Sequence, residues 1–254
     1  MTREFFNAYA DVVHRHLGAA LSLKSAIDLS HNPPEIDGPM LVRDLLATLD
    51  GAWWNSKKAN VKGNWVWRDS VSKYTTQSKE VVLERKVVQL GGSDRWTYQM
   101  STSSGLFGAR GSKRRAIDLV NWEDGGPLRF IELKVGSNNP LHAIFEVLGY
   151  GLMYLLARKH GLKGTGRRDV MEATALSLEV LAPIGWYWHG TSRNETSTSL
   201  DMAWLRTSLC KGLAEMLATD SAYGLESLQI NFLCFDAPVE TAESRIVNAL
   251  CRSV

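Results

Sequence analysis

Two short segments in the middle of the chain alternate between hydrophobic and polar positions. They cover 116–121 and 129–135, and an Asp-Gly-Gly sequence at 124–126, typical of a tight turn, lies between them. Alternation with a period of two predicts strands, so we predict a β-hairpin here. In its second strand the apolar residues share one face, and Glu132 and Lys134 share the other.

Longer apolar periodicities predict helices and further strands around this hairpin. The predicted elements are helices 4–21, 40–49, 79–90, 140–159 and 201–218, and strands 96–103, 116–121, 129–135, 177–182 and 228–235. Asn139 is a good N-cap for the helix that follows the hairpin, and Pro140 suits its first position. We therefore predict an α/β domain over 76–254, with a central mixed sheet flanked by helices, and an N-terminal helical extension over 1–75.

The polar face of the hairpin carries the strongest candidate chemistry. Asp118 lies between Ile117 and Leu119, so its carboxylate also leaves the apolar face and can join Glu132 and Lys134. Two neighbouring carboxylates suit magnesium, which binds through one or two carboxylates and keeps waters for substrate phosphates. A lysine beside that ion can stabilise negative charge or help to form a hydroxide nucleophile. These residue types are the ones needed for phosphodiester hydrolysis.

Two predicted helices add carboxylates on an apolar background. In the helix after the hairpin, His142, Glu146 and Tyr150 are spaced four residues apart and form one polar stripe. A carboxylate there is costly unless it is paired or binds a metal, although His142 and Glu146 alone make a poor zinc site. In helix 79–90, Glu84 lies on the apolar stripe and is predicted to point inward, whereas Glu80 is assigned to the N-terminal helix dipole.

Asp118 on one strand, followed by Ile131-Glu132-Leu133-Lys134 on the next, resembles the signature of the PD-(D/E)XK nuclease superfamily. That superfamily includes restriction endonucleases and the nuclease domains of recombination and repair machines. The resemblance covers about 79–183 and implies a restriction-endonuclease-like core of helix, three strands, helix and strand. The chain departs from the family pattern in having no proline before Asp118.

The resemblance also implies roles for individual residues. In this family the acids bind one or two magnesium ions, for which manganese can substitute, and the lysine assists the attacking water. The implied catalytic residues are Asp118, Glu132, Lys134, Glu84, Glu146 and Tyr150. The implied metal ligands are Asp118, Glu132, the Leu133 carbonyl and Glu84.

The function implied by the resemblance is that of a magnesium-dependent nuclease acting on DNA, with double-stranded DNA as the expected partner. A catalytically inactive protein of the same fold that binds nucleic acid or serves in an assembly is the alternative, and a homodimer is left open.

No phosphate-binding glycine loop opens a helix and no G-x-S-x-G sequence occurs, which disfavours nucleotide-driven and acyl-transfer chemistry. Without a recognisable signal peptide or membrane span, and with three cysteines in no metal-binding pattern, we predict a cytoplasmic protein without disulfides.

Charge is unevenly distributed along the chain. The formal net charge is only +2, but 51–115 holds thirteen lysines and arginines against four acids, together with five tryptophans. Basic residues among aromatics suit phosphate contacts and base stacking, while the alternative is a solvated basic face with tryptophans anchoring an N-terminal subdomain. The candidate nucleic-acid-binding residues are Lys113, Arg114, Arg115, Trp65, Trp67 and Arg68.

Overall fold

The computed structural model describes residues 2–51, 62–72, 74–102, 116–136, 138–189 and 198–252. The helices are α1 (Thr2–Leu17), α2 (Leu23–His31), α3 (Gly38–Leu49), α4 (Lys79–Gly91), α5 (Pro140–Lys159), α6 (Ala203–Thr219) and α7 (Glu243–Arg252). The strands are β1 (Lys62–Trp67), β2 (Trp96–Ser101), β3 (Ala116–Trp122), β4 (Leu128–Leu133), β5 (Thr165–Gly166), β6 (Ala175–Pro183), β7 (Trp188–His189), β8 (Thr198–Ser199) and β9 (Ser227–Phe235). Short 3-10 turns lie at Val170–Glu172, Ile184–Tyr187, Ser221–Tyr223 and Val239–Thr241.

A five-stranded mixed sheet forms the centre of the protein, in the order β2-β3-β4-β6-β9. Strand β3 is antiparallel to both of its neighbours, β2 and β4, whereas β6 and β9 run parallel to β4. Helices lie on both faces of this sheet, which confirms the predicted α/β class with a central mixed sheet flanked by helices.

The two faces of the sheet belong to two hydrophobic cores. The first face packs against α5, and the helices α1, α2, α3 and α6 share this core. The second face packs against α4 and α7. Alternation in β4 places Phe130 in the first core and Ile131 and Leu133 in the second. Side chains on adjacent positions of one strand therefore meet different helices.

Helix α5 is the central helix of the first core. The Asn139 side chain accepts the N–H of His142 at 3.0 Å and Pro140 occupies the first turn, as the capping signals predicted. Within the described residues it is the one helix long and apolar enough to cross a membrane, but 94% of its apolar window is buried inside the protein. That burial is what the core helix of a folded domain shows.

The N-terminal part of the chain packs as part of this core. Tyr9 in α1 donates a hydrogen bond to the Phe145 carbonyl of α5 at 2.9 Å, and apolar residues of α1, α2 and α3 join the first core. The division predicted at residue 75 therefore does not coincide with a break in the packing. Helices α2 and α7 and strand β1 were not predicted because their segments are short, although the sequence of α7 has a clear helical apolar period.

Candidate active site

Asp118 lies on β3 just beyond the residues whose backbone pairs with β4. The backbone register runs from Trp122 opposite Leu128 to Leu119 opposite Ile131. Two residues further along β4, the N–H of Leu133 is donated to the Asp118 Oδ2 atom at 3.0 Å. A side chain thus takes over the role of the backbone, and it fixes the Asp118 carboxylate beside the end of β4.

Lys134 lies between two buried carboxylates. Its Nζ contacts Glu132 Oε1 and lies 3.2 Å from Glu146 Oε2. Glu132, Lys134 and Glu146 are only 2%, 5% and 1% exposed. The alternation predicted that Glu132 and Lys134 point the same way, but the face onto which they point is covered by α5 and is not open to solvent.

Helix α4 brings a third buried carboxylate to the site. Glu84 is buried, as its apolar stripe predicted, and its Oε2 accepts a hydrogen bond from Gln99 Nε2 at 2.7 Å. Gln99 belongs to β2 and has a φ of 49°, a left-handed conformation that is uncommon for a residue with a side chain. This backbone geometry holds the Gln99 carboxamide against Glu84.

Glu80 has a role that the sequence did not indicate. It lies in the first turn of α4, where an acid interacts favourably with the helix dipole. Its Oε1 also accepts the N–H of Val135 at 3.1 Å, directly after Lys134. The assignment to the dipole alone was therefore incomplete, because a contact across 55 residues leaves no local signal.

The close approach of these carboxyl groups changes their protonation. Burial, and next the neighbouring Glu146 carboxylate, raise the pKa of Asp118 to about 7 against the opposing effect of Lys134. Burial and the Asp118 carboxylate raise the pKa of both Glu132 and Glu84 well above the ordinary range. These acids therefore keep their protons up to a higher pH than usual, because one lysine does not compensate several neighbouring carboxylates.

Lys134 is the positively charged group beside these acids, and their carboxylates keep it protonated. Burial lowers the pKa of Lys134, but the carboxylates of Glu132, Glu146 and Asp118 outweigh that effect and raise it above its usual value. In this arrangement the side chain is an ammonium group. Of the two roles the sequence suggested for this lysine, stabilisation of negative charge fits better than proton abstraction.

The donor set fits a hard divalent cation by its chemistry. Glu132 Oε2 is buried and has no hydrogen-bond partner among the described residues, which is costly for a carboxylate oxygen. The carboxylates of Asp118 and Glu146 lie near Glu132, and carboxylate is the ligand type that magnesium prefers. In the described part of the chain, however, no three His, Cys, Asp or Glu side chains converge closely enough to hold an ion. Lys134 lies instead between Glu132 and Glu146.

Tyr150 lies in the interior of the protein. It is buried in the first core, two turns along α5 from His142. Its burial is similar to that of Glu132 and Glu146, and its predicted catalytic role stays a prediction. The predicted use of the Leu133 carbonyl as a metal ligand stays a prediction.

The candidate nucleic-acid-binding residues are divided by the structure. Trp65 and Trp67 are each 1% exposed, so their rings cannot stack on bases, and the expectation that they do is wrong. Trp65 packs against Phe130 and Tyr154 in the core. Arg68 is exposed, with its guanidinium 5.9 Å from the centre of a tyrosine ring. Three further candidates lie outside the described residues: Lys113, Arg114 and Arg115.

Comparison with known proteins finds no matching family model, no matching curated protein and no matching solved structure.

If Glu84 is the helical acid of the site, Glu84→Gln will lower nuclease activity by about 10- to 100-fold, because a buried carboxyl group beside Asp118 is lost. Glu80→Gln will have a smaller effect, since the amide oxygen can still accept the Val135 N–H. Initial cleavage rates of both variants at equal magnesium concentration check this ranking. The reverse order would show that Glu80 is the more important acid.

Without a divalent cation, the free energy of unfolding is expected to fall as the pH rises from about 5 to about 8. A carboxyl group with a raised folded-state pKa contributes stability that is fully present below its unfolded pKa, about 4, and is lost as the pH rises through the folded pKa. Asp118, with a pKa raised to about 7, follows this rule. Urea unfolding across this range should show a weaker pH dependence for Asp118→Asn, and no such change for the exposed control Asp69→Asn. Equal slopes in wild type and Asp118→Asn would contradict the assignment.

Proposed function

We propose that this chain is a magnesium-dependent nuclease that hydrolyses phosphodiester bonds in DNA, with a restriction-endonuclease-like core. The observation that carries the proposal is the cluster of Asp118, Glu132 and Lys134 at the end of one hairpin, enclosed by Glu84 from α4 and Glu146 from α5. The order of elements from α4 through β2, β3, β4 and α5 to β6 supports it, because it matches the core that the sequence motif implies.

In the proposed reaction, water adds to phosphorus and the bond from phosphorus to one ester oxygen breaks. Asp118 and Glu132 would hold the magnesium ion, with Glu84 as an outer carboxylate. The bound ion would supply neutralisation of phosphate charge and activation of the attacking water.

The chain's own residues account for the remaining requirements. The Lys134 ammonium would stabilise the negative charge that grows on the phosphate oxygens, since a preoriented charge in a buried site acts strongly. Glu132 and Glu146 keep that ammonium in place, and Gln99 orients Glu84. The Leu133 N–H holds Asp118 in a fixed orientation.

Incubation of the protein with magnesium and a panel of supercoiled, linear and single-stranded DNA and of RNA tests the proposal. Double-stranded DNA should be cleaved with magnesium or manganese, and a chelator should stop the reaction. Asp118→Asn, prepared in parallel, should be inactive. Absence of cleavage on every substrate by folded protein would reject the proposal.

A second candidate function is favoured by one observation. Lys134 already pairs with Glu132 and Glu146, as expected of a buried structural ion-pair cluster without catalysis. The protein would then be an inactive, nucleic-acid-binding or assembly protein of the same fold. It should bind DNA without cleaving it, and calorimetry should detect no magnesium binding.

A further inference from the structure

A group of polar side chains lies on the second face of the sheet, away from the candidate active site. The strand register aligns one cross-strand row of four residues: Asn121, Arg129, Ser177 and Gln229. The next row places Glu179 beside Asn231. Arg129 and Glu132 stand three positions apart on β4 and project to opposite faces, so this group lies across the sheet from the ion pair of Glu132 and Lys134.

These side chains line a cavity of about 730 Å³, a size typical of small-molecule sites. The hairpin turn at 123–127 forms one of its walls, and β9 contributes another. Ser177 and Glu179 in its floor are only 1% and 3% exposed. A solvated sheet face would carry exposed polar groups, whereas Ser177 and Glu179 are polar and almost fully buried at the bottom of the cavity.

The hydrogen bonds of the floor converge on one oxygen of Glu179. Asn231 Nδ2 donates to Ser177 Oγ at 3.2 Å, and Ser177 Oγ donates to Glu179 Oε1 at 2.9 Å. The Arg129 guanidinium lies 3.7 Å from the same Oε1 atom. The other oxygen, Glu179 Oε2, is buried without a hydrogen-bond partner in the part of the chain that the structure describes. A buried acceptor without a hydrogen bond lowers the stability of the folded protein, and a ligand that donates a hydrogen bond to it would remove this penalty.

The charges around the cavity favour a ligand that donates hydrogen bonds over an anion. Among the residues that the structure describes, the lining contains three acids, Glu123, Asp124 and Glu179, and one basic residue, Arg129. Arg95 and Arg168 lie against the two acids of the turn, so their charges are compensated at the rim. The one basic residue of the lining lies against Glu179, so a phosphate or carboxylate group would meet no uncompensated positive charge.

We propose that this cavity is a binding site for a small organic cation with N–H donors, a guanidinium or primary ammonium compound, whose charged group hydrogen-bonds to Glu179 Oε2. Charge-assisted hydrogen bonds are the strongest match for a buried carboxylate oxygen. The carboxamides of Gln229 and Asn231 supply further acceptors around the same group. This site does not depend on the proposed nuclease activity.

Isothermal titration calorimetry with agmatine, which carries a guanidinium and a primary ammonium group, tests this site. Agmatine should bind saturably to the wild type, and tetramethylammonium, a cation without N–H donors, should not. Glu179→Gln should weaken agmatine binding by at least about tenfold, because one charge-assisted hydrogen bond is lost. Glu226→Gln removes the same charge from an exposed position just before β9 and should leave binding unchanged.

The exposed residue Gln229 provides a second variant whose folding is not at risk. Gln229→Leu should also weaken agmatine binding, since an acceptor of the lining is lost. The proposal is overturned if agmatine fails to bind, if it binds equally to Glu179→Gln or Gln229→Leu, or if inorganic phosphate competes with it. Binding that persists in Glu179→Gln would place the cation at the carboxylates of the candidate active site instead.

Discussion

Replacement of Lys134 by methionine is expected to abolish cleavage and, without divalent cations, to lower the free energy of unfolding by about 3–5 kcal/mol. The ammonium group lies between Glu132 Oε1 and Glu146 Oε2, and all three side chains are buried. Its removal leaves two neighbouring carboxylates without a countercharge. Methionine keeps much of the side-chain volume, so the loss reflects charge more than packing.

Urea unfolding of Lys134→Met with and without magnesium measures this effect. Magnesium should restore part of the lost stability, because a bound cation replaces the missing positive charge. Lys159→Met is the matched control, since Lys159 pairs with Asp220 at 2.8 Å on the surface and should change stability little. Equal stability of Lys134→Met and wild type would show that the lysine is not the countercharge of the cluster.

The second large effect concerns the contribution of Glu146 to metal binding. Magnesium at about 100 times its dissociation constant should stabilise the wild type by about 2.7 kcal/mol, as any ligand of the folded state does. Glu146→Gln should reduce this increment and lower activity by about 10- to 100-fold, because the neutral amide pairs less strongly with Lys134 and the local negative charge is smaller.

Thermal unfolding at several magnesium concentrations gives the increment for each variant. Glu215→Gln is the control, because it makes the same substitution at an exposed position of α6. If Glu146→Gln retains both the full increment and full activity, Glu146 only balances the charge of Lys134 and takes no part in the site.

Local signals in the sequence account for much of the predicted site. Strand alternation placed Glu132 and Lys134 on one side of β4, and the cap at Asn139 located the start of α5. Apolar spacing indicated that Glu84 points inward. Each of these inferences uses residues within one element, where chain geometry fixes the relative directions of the side chains.

Features that depend on distant parts of the chain could not be predicted. The hydrogen bond from Val135 to Glu80 joins two elements that the sequence does not relate. The tryptophans at 65 and 67 lie in a basic segment, and only tertiary packing decides that they are buried. The polar row through Arg129 and Ser177 depends on the register between β4 and β6, to which no local pattern refers.

Cleavage of supercoiled plasmid DNA in magnesium by wild type and by Glu132→Gln tests the central claim most directly. Glu132 has one oxygen on Lys134 and one buried without a hydrogen-bond partner among the described residues, so the substitution removes a charge at the centre of the cluster. We predict cleavage by the wild type that a chelator abolishes, and a rate at least about 10²–10³-fold lower for Glu132→Gln. Equal rates for the two proteins, or no cleavage by folded wild type, would contradict the proposed active site.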